Sequence, residues 1–189
     1  MSRAYRIRVR ESISRELKAS DEICSDLEML EILPCDQMAQ LLKGALAERG
    51  FEEQDGKMVR KDGDITVSID PETGEVSIRS EATEKVDLEG AREGTGYDDV
   101  GPNEASLRER LQRELKQDLE RRAEQQTQRL QGQATEALEK KLADMQQELN
   151  QVVNKVTAEA LKQKASQLGQ IKEMTEDPEN GSLTIKVEV

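Results

Sequence analysis

The feature that most limits what this chain can fold into is a proline-free run from Glu104 to Leu168, rich in Leu, Ala, Glu, Gln, Lys and Arg. Those residues lose little freedom in a helix, so the run reads as one long helical segment. Its apolar positions form a narrow stripe: Leu107, Leu111, Leu115, Leu119 and Ala123, then Leu130, Ala134, Leu138, Leu142, Met145, Leu149, Val152 and Val156. From Leu142 to Val156 the steps are 3, 4, 3 and 4, the spacing of a heptad seam. Over the whole stripe, with Thr127 counted as a contact, 49 residues take 13 steps, about 3.8 residues each. A period that long cannot share a left-handed supercoil with the seam. The expectation is a coiled coil whose winding changes near Gly132, or a helical hairpin that turns there. Gly132 is a weak turn signal between Gln131 and Gln133, so a continuous or kinked helix is favoured.

Composition narrows the chemistry. The 189 residues carry 28 Lys and Arg against 40 Asp and Glu, a net charge of −12, with no His, no Trp, one Phe and two Tyr. A single large core is not expected where the bulky side chains that fill one are missing. The lack of histidine excludes His triads, His general bases and His-ligated metals. No apolar run is long enough to span a membrane, and the N-terminus lacks the unbroken apolar stretch of a signal peptide. The chain therefore reads as cytoplasmic, and as a binding or assembly protein more than an enzyme.

Ahead of the helix, residues 1–90 read as a small α+β unit, one helix on an antiparallel sheet. Tyr5, Ile7 and Val9 alternate with Arg6, Arg8 and Arg10, the period of a strand with one wet face. Leu27 to Leu33 is ambiguous between a helical turn and a second strand. Pro34 presets a helix whose apolar face is Met38, Leu41, Leu42, Ala45 and Leu46, closed by Gly50. Short strands are predicted at Phe51–Glu53, Met58–Arg60 and Asp64–Asp70, parted by Asp55-Gly56 and Asp62-Gly63. Asp70-Pro-Glu-Thr-Gly74 is a turn, after which Val76 and Ile78 continue a hairpin.

Residues 91–103 belong to a glycine-rich stretch and read as a linker to the helical segment 104–168. Residues 169–189 repeat the earlier device: Asp177-Pro-Glu-Asn-Gly181 is a turn, and Leu183, Ile185, Val187 and Val189 alternate after it. An isolated hairpin is marginal in water, so this one is expected to join a sheet. A straight helix would carry it roughly 100 Å from the first unit, so the helix folds back or a partner chain brings a second unit to meet it.

Few motifs carry chemistry. Gly94-Thr-Gly96 with Gly101 misses the dinucleotide fingerprint, and Gly56-Lys57 misses the phosphate loop. Cys24 and Cys35 have no second pair to complete a zinc site and are expected to be buried structural thiols. Asp98-Asp99, Asp62/Asp64 and Asp70/Glu72 lie where turns and linkers carry carboxylates anyway, so no metal, cofactor or catalytic residue is assigned. Two features remain as candidate binding elements. The helix seam Leu142, Met145, Leu149, Val152 and Val156 serves self-association or a partner helix, unless it packs within the chain. The strand Arg6, Arg8 and Arg10, flanked by Arg3 and Arg15, docks an acidic partner or pairs with acidic neighbours on the next strand. Nucleic acid is the alternative for that strand, disfavoured by the acidic balance and the lack of stacking aromatics.

Tyr5-Arg-Ile-Arg-Val-Arg-Glu-Ser12, Leu30-Glu-Ile-Leu-Pro34, Met38-Ala-Gln-Leu-Leu42, Arg49-Gly-Phe51 and Asp70-Pro-Glu-Thr-Gly74 resemble a small bacterial accessory domain of the FtsH ternary systems. The ending, Gly169 with Asp177-Pro-Glu-Asn-Gly181 and Leu183-Thr-Ile-Lys-Val-Glu-Val189, fits the same pattern. The resemblance implies a non-catalytic accessory encoded beside FtsH-like and MoxR-like AAA+ ATPases and von Willebrand A proteins, in a chaperone-like assembly acting in biological conflict. It supplies no functional residue set. The reading is an α+β chain with a small antiparallel sheet and one packed helix, a long coiled-coil-like helical arm and a C-terminal β-hairpin, acting as an adaptor.

Overall fold

The structure is a computed structural model and describes residues 4–97, 103–177 and 182–188. Elements follow in the order β1 (Ala4–Asp26), α1 (Cys35–Ala47), β2 (Glu52–Gln54), β3 (Lys57–Asp62), β4 (Ile65–Ile69), β5 (Glu75–Tyr97), α2 (Glu104–Leu168), β6 (Gln170–Asp177) and β7 (Ser182–Glu188). The first five strands form an antiparallel sheet in the order β1-β5-β4-β3-β2, and β6 pairs only with β7. The fold is α+β, with the long helix and the terminal hairpin where the sequence puts them. The helix is continuous through Gly132 and does not turn back. Asn103 caps its start, its Oδ1 accepting the Ser106 N–H at 2.8 Å.

The chain packs as two compact units, Met1–Ser20 with Glu81–Thr135, and Asp21–Ser80 with Glu136–Val189. The strands β1 and β5 and the helix α2 each contribute to both.

In the unit holding Glu81–Thr135, β1 and β5 form a two-stranded ribbon under the first half of α2. Alternate residues of β1 point inward, and Ile7 and Val9 pack with Leu107, Leu111, Leu115 and Leu119. Leu17, Ala19, Val86 and Leu130 make a second small cluster. Residues 91–97, expected in the linker, are strand; residues 98–102 lie outside the described residues. The glycines that suggested a linker have a packing cause. Gly90 and Gly94 sit on the inward row of β5, where a Cβ would stand 2.7 Å from Leu115 Cδ1 and 2.9 Å from Leu111 Cδ1. A side chain at either position would make the tip of Leu115 or Leu111 shift, so glycine suits the close approach of the helix.

In the other unit, α1 and the second half of α2 share one core with the meander β2 to β5. Asp55 and Gly56, both at positive φ, make the tight turn from β2 to β3. Ile65, Val67 and Ile69 of β4 face the core beside Val76 and Ile78 of β5, in the register Ile69↔Val76 and Val67↔Ile78. Met38, Leu42 and Leu46 of α1 join them. Leu27 to Pro34 is neither strand nor helix. The terminal hairpin is a two-stranded sheet of its own among the described residues, and most of its expected turn, residues 178–181, lies outside them.

Candidate functional site

The apolar stripe of α2 is found where the sequence puts it, but it faces the chain's own sheet. Met145, Leu149, Val152 and Val156 are buried in one core with α1 and β3 to β5, and Leu142 packs against it half-buried. The seam is therefore not an open surface for a second helix. The reason is geometric. A sheet twists, so a helix lying on it needs a contact row that drifts around its axis, and the long average period of the stripe suits that partner better than a left-handed coiled coil.

The same core holds a polar clamp that periodicity could not announce. Arg60, on the inward row of β3, donates to Glu148 of α2 from both terminal nitrogens, at 2.7 and 2.8 Å. Its Nη1 also donates to the Arg49 carbonyl at 3.0 Å, and its guanidinium lies 4.5 Å over the Phe51 ring. Glu148 is held below the ordinary carboxylate range, first by the Arg60 hydrogen bond, with Arg49 and Lys141 adding positive field against the cost of burial. This arrangement fastens α2 to the sheet. A lone Arg in a short strand and a lone Glu far along a helix give no spacing to connect them.

Arg6, Arg8 and Arg10 stand exposed on the outward row of β1, the outermost strand of the sheet. Their placement follows from strand alternation, which turns Ile7 and Val9 under α2. Arg8 reaches Glu93 of β5 at 3.4 Å, with both side chains about half exposed. Arg6 and Arg10 make no ion pair or hydrogen bond among the described residues. The flanking Arg15 is on the inward row and bonds Glu120 of α2 at 3.1 Å, while Arg3 lies outside the described residues. On β5, Glu93 lies beside Arg8, and Glu89 lines the same shallow surface as Arg10. The strip is thus an alternation of charge, not a positive field of the kind that holds a phosphate backbone.

Among the described residues neither edge of the sheet carries a further strand, and the two edges differ in size. At one end β2 is 3 residues long; at the other β1 is 23 residues long and last in the strand order among the described residues, with its Ser20 carbonyl accepting from Gln131 of α2 at 3.0 Å. A long free edge is a ready template for an added strand.

The other singled-out residues have local roles. Asp70 closes its turn by accepting the N–H groups of Glu72 and Thr73 at 2.9 and 3.3 Å, and these bonds pull its carboxyl below the ordinary range. Among the described residues no group of three or more Cys, Asp and Glu is arranged to hold a metal. Cys24 and Cys35 are free and exposed, not buried; Cys35 opens α1, and its thiol lies 3.7 Å from the Glu72 carbonyl. No described helix is long and apolar enough to cross a membrane.

Comparison with curated proteins and with solved structures finds no match. A family model described as FtsH ternary system domain X5 matches residues 1–189, a name that makes its members components of an FtsH-associated system and is consistent with an accessory role. By that match over its whole length, the chain belongs to the FtsH ternary system domain X5 family.

Proposed function

We propose that the chain is a non-catalytic cytoplasmic adaptor that docks an FtsH-type AAA+ ATPase by strand addition along the free edge of β1. The observation that carries the reading is that edge: 23 residues, last in the sheet order, with Arg6, Arg8 and Arg10 exposed beside it. Backbone groups on such an edge supply affinity, and the outward side chains select the sequence that pairs. Arg6 and Arg10 favour an incoming strand with Asp or Glu at alternate positions, a pairing already made once inside the chain by Arg8 and Glu93. MoxR-like ATPases, von Willebrand A proteins and a second copy of the chain are further occupants of the same scaffold. The absence of histidine supports a role without bond-making.

The test is co-purification of the full chain with the FtsH-type ATPase of its own system, as wild type and as Arg6→Glu/Arg10→Glu. The reading expects the double reversal to abolish capture while leaving the melting temperature within about 2 °C, since exposed charges contribute little to stability. Capture that survives the reversal contradicts it. Binding to a DNA duplex with a steep salt slope, lost in the same variant, replaces it with the nucleic-acid reading.

A further inference from the structure

Among the described residues five large apolar side chains are exposed, and three of them, Leu161, Leu168 and Met174, fall where α2 ends and the terminal hairpin begins. The join is tight, since a Cβ at Gly169 would collide with the Glu188 carbonyl. In the hairpin, Ile171 lies opposite Val187 and Met174 opposite Ile185, and Leu183 continues the same apolar row. Ile171, Leu183, Ile185 and Val187 are only half-buried and Met174 is 48% exposed; none of the five joins a core cluster among the described residues. The hairpin's charges, in contrast, are satisfied within it: Glu173 pairs with Lys186, and Lys172 with Glu188 at 2.6 Å. Two strands alone are marginal in water, whereas three or more with an apolar face are stable. The two edges that a further strand can join are unlike. β6 carries a bulge between Ile171 and Glu173, which interrupts a ladder and blunts that edge. β7 is regular and has no strand on its other side among the described residues.

From this geometry we infer that β7 pairs antiparallel with β7 of a second copy of the chain, joining two hairpins into one four-stranded sheet. Charge and register select this occupant. Because Lys186 and Glu188 are already paired, the edge favours neither an acidic nor a basic strand, unlike the arginine row of β1. With Ile185 opposite its own copy on a two-fold axis, Leu183 meets Val187 on the apolar side and Thr184 meets Lys186 on the polar side. All of residues 182–188 then overlap, with no like charges opposite. Centring the pair on Lys186 sets that lysine against itself, and centring it on Thr184 leaves Val187 without a partner. An odd shift turns the apolar row against the polar one. The contact uses no residue of β1, so it stands or falls apart from the docking reading above.

The experiment is sedimentation of the full chain over a range of concentrations, with the mass expected to rise from 21.2 kDa to twice that value. Thr184 is exposed and lies opposite Thr175, so charged variants there leave the hairpin intact. Thr184→Glu meets Lys186 of the second copy twice across the axis and should tighten the dimer about fivefold, whereas Thr184→Lys should weaken it about fivefold. In a Cys24→Ser/Cys35→Ser background, Ile185→Cys should crosslink to its own copy on mild oxidation. Ile171→Cys should not, because β6 lies three strand spacings, at least about 14 Å, from its copy. A monomer at every concentration overturns the inference, as does a dimer of equal affinity in the two Thr184 variants. A dimer lost in Arg6→Glu/Arg10→Glu but kept in Thr184→Lys overturns it as well, by placing the contact on β1.

Discussion

Removing the carboxylate of Glu148 should unfasten α2 from its sheet. In Glu148→Ala, Arg60 loses both bonds to its carboxylate and keeps the Arg49 carbonyl and Asp62, the latter at 3.4 Å. Its side chain is only 15% exposed, so water recovers little of the loss, although the Glu148 end, 24% exposed, was partly solvated. Hydrogen bonds to charged groups contribute about 1.5–3 kcal/mol each, and with that remaining support the expected cost is about 2–3 kcal/mol. For a chain of this size that is about 5–10 °C in melting temperature. Calorimetry reads the shift, and amide exchange across Lys57–Asp62 locates it, since β3 carries Arg60. The pH dependence has a definite sign. Glu148 titrates below its ordinary value of 4.5 in the folded state, so its contribution is fully present above about 4.5 and is lost as pH falls through the lower folded value. The gap between wild type and variant should stay constant from pH 7 to 5 and narrow below 4.5. A shift under 2 °C, or one matched by Glu136→Ala on the exposed face of α2, would refute the clamp.

Gly90→Ala should cost about 1–3 kcal/mol, because its Cβ meets Leu115 at 2.7 Å in a close-packed layer. Gly132→Ala, with nothing within 4 Å, should instead stabilise by about 1 kcal/mol through helix propensity; opposite signs in thermal unfolding check the pair. Leu149→Lys should disrupt the fold, seen as lost cooperativity and dye binding, because Leu149 is 6% exposed in the core; a folded variant altered only in oligomeric state would contradict its placement. Asp70, lowered from 3.8 by the turn amides, should hold its turn above about pH 4 and release it as pH falls through its lower folded value; faster exchange at Glu72 and Thr73 in acid checks this.

How much of this was legible in the residues can be seen in α2 itself. Every apolar position of the stripe from Leu107 to Val156 is buried, except that Leu142 is half-buried. Periodicity finds which side of a helix is covered but not what covers it, and here the cover is a sheet where a seam suggested another helix. The strands that do the covering were legible only at their ends. Beyond Val9 the inward row of β1 includes Glu11, Arg15 and Asp21, and that of β5 includes Glu84, Arg92 and three glycines, residues depleted in strands. Their signal was parity. Gly90, Gly94 and Gly96 fall on the same alternate positions as Val76, Ile78, Val86 and Leu88. The arginine strand was placed correctly because alternation alone decides which way Arg6, Arg8 and Arg10 point, whereas the Arg60–Glu148 clamp joins residues 88 apart and leaves no local trace. Cys24 and Cys35 were expected inside on residue type, and both are exposed.

The claim at the centre of this account is that the chain binds by its strand edge and not by its helix. Amide hydrogen exchange of the full chain, alone and saturated with the FtsH-type ATPase of its system, addresses it directly. New protection across residues 4–20 of β1, with exchange across Leu142–Val156 unchanged, is the predicted result. New protection at Leu142–Val156 with none on β1 would contradict it.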